Sequence, residues 1–383
     1  MTQTTPKGPR GELLILCVAG FHLLFLLDTL VDCATGGVSL EADFSYIYLT
    51  GERLLSGNTD NLYASDGSGM FWRYPPFCLY PAALASLLPL AVAFTLQGVL
   101  QLGGTLASYA LLRPKALVLV LVLGLTSAPF AETIGAGQNS GLILAVITLG
   151  SVLWARGHSV WGGLVLGLLC AKPNWGIPFG VFALATRDFK AAGTMLATAL
   201  VLMISSIPLG LHHWQDFIHA VSRGDDQYSV MTENGTMWFY YSGNKLIHLW
   251  GLFQNLPSLP GQALWYTCVA LMIGALVILA RRSDRLHQLA GVTLFTVAAN
   301  PYAFFYDALV LIFPALIWWN RRTHSRAWKC SGVLILGVWF STQFANQYPM
   351  LLSLEPAPFA LTGLLVTLWL GCEALDAGHS TQE

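Results

Sequence analysis

Apolar stretches of about 17 to 25 residues, long enough to cross a hydrocarbon core of about 30 Å, recur along almost the whole chain. A soluble fold is excluded on the same evidence: 55% of the 383 residues are apolar and 10% are charged, against roughly 45–50% and about 25% in soluble domains. Reading apolar runs against their flanks places spans at 12–32, 77–112, 115–130, 138–155, 159–171, 176–186, 190–211, 263–280, 287–300, 303–319, 328–345 and 357–376. The expectation is an all-α integral membrane protein of about ten to twelve crossings, residues 1–383 forming one transmembrane domain. The run 77–112 is too long for one straight crossing and reads as a broken helix. Residues 159–186 form either one kinked helix or two short ones around Pro173.

Charge sorting sets the orientation, because Lys and Arg in short loops stay on the cytoplasmic side. With the N-terminus inside, fourteen of the 19 basic residues fall on inside segments, among them Arg113, Arg156, Arg187, Lys190 and Arg285. Only Arg53, Arg73, Lys172, Arg223 and Lys245 fall outside, with most of the acids. Both termini are therefore expected in the cytoplasm. The seven cysteines are scattered through apolar runs without a CxxC pair and read as small core residues.

Two outside segments, about 33–76 and 212–262, exceed the usual connection of about 4 to 6 residues and are expected to carry the function. Both hold aromatic-rich amphipathic patterns, which suit helices lying in the outer membrane interface. In the first, Leu40, Phe44, Ile47, Tyr48, Gly51, Leu54 and Leu55 form one apolar stripe of a helix on the membrane surface. Asp43, Tyr46, Thr50 and Arg53 line its flank, which sets the Asp43 carboxylate at the boundary between water and lipid. Farther on, Tyr74-Pro75-Pro76 opens the next apolar run, where proline suits a first helical turn.

Asp43-x-x-Tyr46, Leu54-Leu55-x-Gly57, Leu62-Tyr63 and Phe71-x-x-Tyr74-Pro75-Pro76 form the first part of a longer pattern. Gly137-Gln138-Asn139, Gly162-Gly163-x-x-x-Gly167 with Lys172-Pro173, and Asn300-Pro301-Tyr302 with Tyr306-Asp307 follow in order. Together, over residues from about 40 to 315, they resemble glycosyltransferase family 87, the polyprenol-phosphate-dependent mannosyl- and arabinofuranosyltransferases of the GT-C type. Where many relatives carry a Ser-Pro-x-x-Trp-x-His pattern, this chain has Asn300-Pro301 and Tyr306-Asp307, so a phosphate-binding role for that histidine does not carry over. The resemblance implies a GT-C-type multi-pass bundle that moves a sugar, mannose or similar, from a polyprenyl-phosphate donor to a lipid or glycan hydroxyl. Transfer would invert the anomeric carbon at the outer face of a bacterial inner membrane, with membrane lipids and no nucleic acid as partners.

The chemistry of such a transfer needs one base on the attacking hydroxyl, worth roughly 10² to 10⁴ in rate, and Asp43 is the candidate. Phosphate departs as a stable anion, so no second carboxyl is needed as acid, unlike glycoside hydrolysis. Developing phosphate charge does need cations or donors. Arg73, Lys172, Lys245 and His248 are the outside candidates, with Tyr46, Tyr74, Gln138, Asn139, Asn300 and Asp307 as further substrate contacts. For Lys172 the alternative is a snorkelling anchor at a helix end, for Gln138 and Asn139 helix capping, and for Asp307 a helix-to-helix hydrogen bond.

Glu41 and Asp43 would point about 200° apart on a helix, so transfer is expected to need no metal or other cofactor. His212, His213 and His219 read as interfacial polar residues, since no carboxylate or cysteine stands at regular ligand spacing. From another class, the alternative is a polytopic lipid or glycolipid transporter or flippase. That reading calls for two matching halves and midplane charges, and the sequence shows neither.

Overall fold

A computed structural model describes residues 31, 43–59, 62, 63, 72–114, 124, 125, 127–222, 258–282, 284–300 and 305–320. Its regular elements are α1 (Asp43–Leu55), α2 (Leu79–Ser86), α3 (Leu90–Leu112), α4 (Ala128–Gly135), α5 (Ser140–Ala155), α6 (Ser159–Gly167), α7 (Pro173–Ala185), α8 (Phe189–Ser205), α9 (His212–Ser222), α10 (Ser258–Arg282), α11 (Arg285–Ala299) and α12 (Ile312–Asn320). Short 3-10 segments at Pro76–Cys78, Leu168–Ala171, Ile207–Leu209 and Phe305–Leu311 join some of them. The described residues are all-helical, the expected class.

Proline decides several breaks. The run 77–112 is broken as expected: α2 ends at Ser86 and α3 starts behind Pro89, which takes an extended conformation. Residues 159–186 form two helices. Pro173 opens α7 at a position where its missing N–H costs nothing, and it drives Lys172 out of helical conformation, to φ −125° and ψ 87°.

Helices α5 and α11 form the centre, with most of their residues buried. Leu144, Ile147, Leu166, Trp175, Phe179, Leu289 and Phe313 fill the core between them and their neighbours. Small residues let the backbones approach, as in helix packing inside lipid. A Cβ on Gly162 would lie 2.8 Å from the Gly150 carbonyl oxygen of α5, and one on Gly167 2.9 Å from the Met195 carbonyl oxygen of α8. The Gly162-Gly163-x-x-x-Gly167 pattern is thus a packing device that wedges α6 between two helices.

The outside of this bundle is greasy. Trp161, Ile177, Val181, Leu196, Val201 and Ile204 are between 59% and 64% exposed, and a soluble surface does not carry so continuous an apolar patch. Lipid is the solvent that fits it. Among the described residues two helices, Leu90–Leu112 and Phe189–Leu209, are long and apolar enough to cross a membrane. That falls short of the ten to twelve crossings expected from hydropathy. The runs at 138–155, 159–171 and 303–319 become apolar helical stretches of 10–17 residues, whereas 263–280 falls within the 25-residue α10, whose apolar part is Tyr266–Arg281. At 1.5 Å per residue the three shorter stretches fall short of a 30 Å core. Hydropathy counts apolar residues, whereas proline and glycine decide how many of them join one helix. The spans 12–32, 328–345 and 357–376, and residues 115–123, lie outside the described residues.

One end of the bundle is basic. There Asp188 accepts hydrogen bonds from Trp154 Nε1 at 2.6 Å, Ser159 Oγ at 2.8 Å and the Ala191 amide at 3.2 Å, so it caps α8 and ties three helices. Arg285 lies 5.2 Å from the Trp154 ring, and Arg156, Arg187 and Lys190 flank the same helix ends. Burial alone would raise the Asp188 carboxyl, but the Trp154, Ser159 and Ala191 donors hold it below its usual range. Its contribution is therefore present at neutral pH and fades on acidification. Asp188→Ala is expected to cost about 1–3 kcal/mol, read as a lower Tm in detergent at neutral pH. An unchanged Tm would leave the cap without energetic weight.

Candidate active site

At the opposite end of α5, α7 and α11, polar side chains converge from six chain segments. The turn between α4 and α5 organises them. Gly137 adopts φ +66°, and the Gly137 amide donates to the Ile134 carbonyl at 3.1 Å and the Gln138 amide to the Thr133 carbonyl at 2.9 Å. Such paired bonds close a helix C-terminus around a left-handed glycine. The Phe44 amide then donates to the Ala136 carbonyl at 3.1 Å, and the Phe44 side chain packs against Gly137 and, edge-on at 5.5 Å, Phe94. The start of α1 is thereby docked on this turn, and Gln138 Nε2 donates to Asp43 Oδ2. Gln138 is buried, and its Oε1 has no partner among the described residues.

The apolar stripe of α1 finds protein, not only lipid, because Gly51 meets the Ala82 backbone of α2 and Tyr48 donates to the Leu88 carbonyl at 2.8 Å. On the far side of the turn, Ser140 Oγ donates to Asp307 Oδ1 at 3.1 Å. The same carboxylate oxygen lies 3.5 Å from Lys172 Nζ, and the two side chains are 1% and 14% exposed. Lys172 also lies 5.5 Å from the centre of the Tyr306 ring. Beside it, Asn174 Nδ2 donates to Asn300 Oδ1 at 3.0 Å.

Tyr74 connects the two halves. Its carbonyl accepts from the Tyr63 hydroxyl at 3.1 Å, and its ring lies 5.2 Å from that of Trp72. Burial pushes the Tyr74 hydroxyl above its usual range, the Lys172 ammonium opposes this, and the Asp43 and Asp307 carboxylates reinforce it. The phenol stays protonated at neutral pH, a neutral donor among two acids and one amine.

Of the expected site residues, Asp43, Tyr74, Gln138, Lys172, Asn300 and Asp307 come together. Tyr46 lies one turn along α1 and Arg73 next to Tyr74, both half-buried. Lys172 does not snorkel, since its ammonium turns into the protein toward Asp307. Asn139 stands at the N-cap of α5 without a capping hydrogen bond from its side chain, contrary to the capping expectation. Lys245, His248 and Glu41 lie outside the described residues. Ser140 and Asn174 were missed by the sequence reading. Each follows a recognised motif, Gly137-Gln138-Asn139 and Lys172-Pro173, as a polar residue in the first turn of an apolar helix.

The chain matches the model of glycosyltransferase family 87 over residues 72–301. That stretch holds Tyr74, Gln138, Lys172 and Asn300, while Asp43 and Asp307 fall outside it. No curated protein matches the chain. Among solved structures, the apo state of ArnT from Cupriavidus metallidurans is a distant likeness, with 14% identity over 92% of this chain and 77% of that one and a TM-score of 0.35. With more than half of its 383 residues under the family model and an exterior built for lipid, this chain belongs to glycosyltransferase family 87 and is a membrane glycosyltransferase.

Proposed function

We propose that this enzyme moves a sugar from a polyprenyl-phosphate donor to a hydroxyl of a lipid or glycan acceptor at the outer face of a bacterial inner membrane. In this proposal Asp43 takes the proton of the acceptor hydroxyl as its oxygen bonds the anomeric carbon. The bond from that carbon to the phosphate oxygen breaks, and polyprenyl phosphate leaves with the electron pair, inverting the centre. Lys172 and the Tyr74 hydroxyl supply positive charge and a donor to the departing phosphate. Gln138, Asn174 and Asn300 are suited to sugar hydroxyls, Gln138 through its open Oε1.

One observation carries this reading: the Asp43 carboxylate, bonded to Gln138, and the Lys172 ammonium, paired with the Asp307 that Ser140 holds, flank one turn at the end of the bundle opposite Arg156, Arg187 and Arg285. That polarity supports an outward site, since arginine-rich ends stay in the cytoplasm. No step needs a metal, because base and phosphate partners are side chains.

Purified enzyme incubated with separate polyprenyl-phosphate sugars and with nucleotide sugars, followed by analysis of the lipid extract, tests the donor class. Consumption of a polyprenyl-phosphate sugar with release of polyprenyl phosphate is expected. Transfer from nucleotide sugars alone would overturn the reading.

A further inference from the structure

The start of α9 carries a group of side chains that the transfer chemistry does not use. His212, His213 and Asp216 offer two imidazole nitrogens and a carboxylate oxygen, all within 4.8 Å of one another. Helix geometry produces the group, because residues three and four apart share a face, so Asp216 lies beneath both histidines. Asp216 is the carboxylate that the spacing of His212, His213 and His219 alone did not reveal.

Two independent features prepare the site. Gly210 adopts φ +115°, and a Cβ there would lie 2.5 Å from His212 Cε1 and 2.7 Å from its Nδ1, so only glycine lets that ring fold back against the chain. The rings of His212 and His213 lie 3.9 Å apart. His213 is fully buried, yet neither of its ring nitrogens has a hydrogen-bond partner among the described residues, and its Nδ1 stands 3.9 Å from Asp216 Oδ2. A buried imidazole with two open nitrogens carries a desolvation cost that a ligand offsets.

We propose that His212, His213 and Asp216 bind one zinc-class divalent ion, with water completing the shell, and that this ion stiffens the first turn of α9, which packs on the loop leading into Tyr74. Two imidazoles select zinc, cobalt or nickel over magnesium or calcium. Bonds of about 2.0–2.2 Å place tetrahedral ligands roughly 3.3 Å apart, so modest rotation of the exposed His212 and half-exposed Asp216 side chains closes the site. What the stiffened turn supports follows from its surroundings. The His213 ring lies 6.3 Å from Tyr63, Phe217 lies 6.2 Å from Tyr63, and Trp214 lies 6.3 Å from Phe77, so this turn of α9 sits on the loop that leads into Tyr74. The ion would hold that floor in place without touching the reacting sugar.

The test uses the full chain without a histidine tag, stripped by EDTA and dialysed, then titrated with Co²⁺ in detergent. Visible d–d absorption saturating at one ion per chain is expected, with Zn²⁺ displacing the colour and raising Tm by several degrees. His212→Ala, at an exposed position, and Asp216→Asn are each expected to keep the apo Tm but lose the absorption and the metal-dependent rise. Absence of stoichiometric Co²⁺ binding by wild type, or binding that survives both substitutions, overturns the proposal.

Discussion

Replacing Asp43 with asparagine is expected to abolish sugar transfer while the protein stays folded. The amide keeps the size of the carboxylate, and its oxygen still accepts from Gln138 Nε2, so the docking of α1 on the 137–140 turn survives. What is lost is the ability to take a proton. A positioned base contributes roughly 10² to 10⁴ in rate, so turnover is expected to fall at least that far with donor KM little changed. Tm measured beside kcat separates the chemical effect from unfolding. An asparagine variant with near-normal turnover and an intact Tm would remove Asp43 from the base role and leave the proposed mechanism without its central group.

Lys172 is expected to show the largest combined loss. Lys172→Met leaves the buried Asp307 carboxylate, 1% exposed, without its ammonium, and breaking a buried ion pair costs about 3–5 kcal/mol. Tm in detergent is therefore expected to fall steeply, along with donor turnover. The double variant Lys172→Met with Asp307→Leu distinguishes the two causes. Removing both charges relieves the uncompensated acid, so stability is expected to return to near that of wild type, whereas transfer stays lost because nothing positive then faces the phosphate. If transfer returned together with stability, Lys172 would be a structural partner of Asp307 and the donor phosphate would have to be met elsewhere, with Arg73, beside Tyr74, the next candidate.

How far the sequence led can be judged from particular residues. Asp43, Tyr74, Gln138 and Lys172 were legible because each sits in a short local pattern whose chemistry is unusual for a lipid-facing chain. The Lys172 to Asp307 pair joins residues 135 positions apart, and the Ser140 to Asp307 bond spans 167, so no helical periodicity reports either. The stripe on α1 was visible, but its partner was not: Gly51 reads as one more small residue until Ala82 is found against it. The glycines at 162, 163 and 167 looked like part of a functional signature and proved to be contact points between helices. Within the described residues hydropathy was a poor guide to helix length, since it sums over residues while helix length depends on where proline interrupts the ladder, as at Pro89 and Pro173.

The turn at 137–140 has a consequence beyond its size. Gln138 holds one acid and Ser140 the other, with a single residue between them. Asp43 and Asp307, drawn from opposite ends of the polypeptide, are thus yoked through a few ångströms of shared backbone. A change in this turn, such as Gln138→Ala, is therefore expected to loosen the seat of Asp43 and, through the backbone it shares with Ser140, that of Asp307.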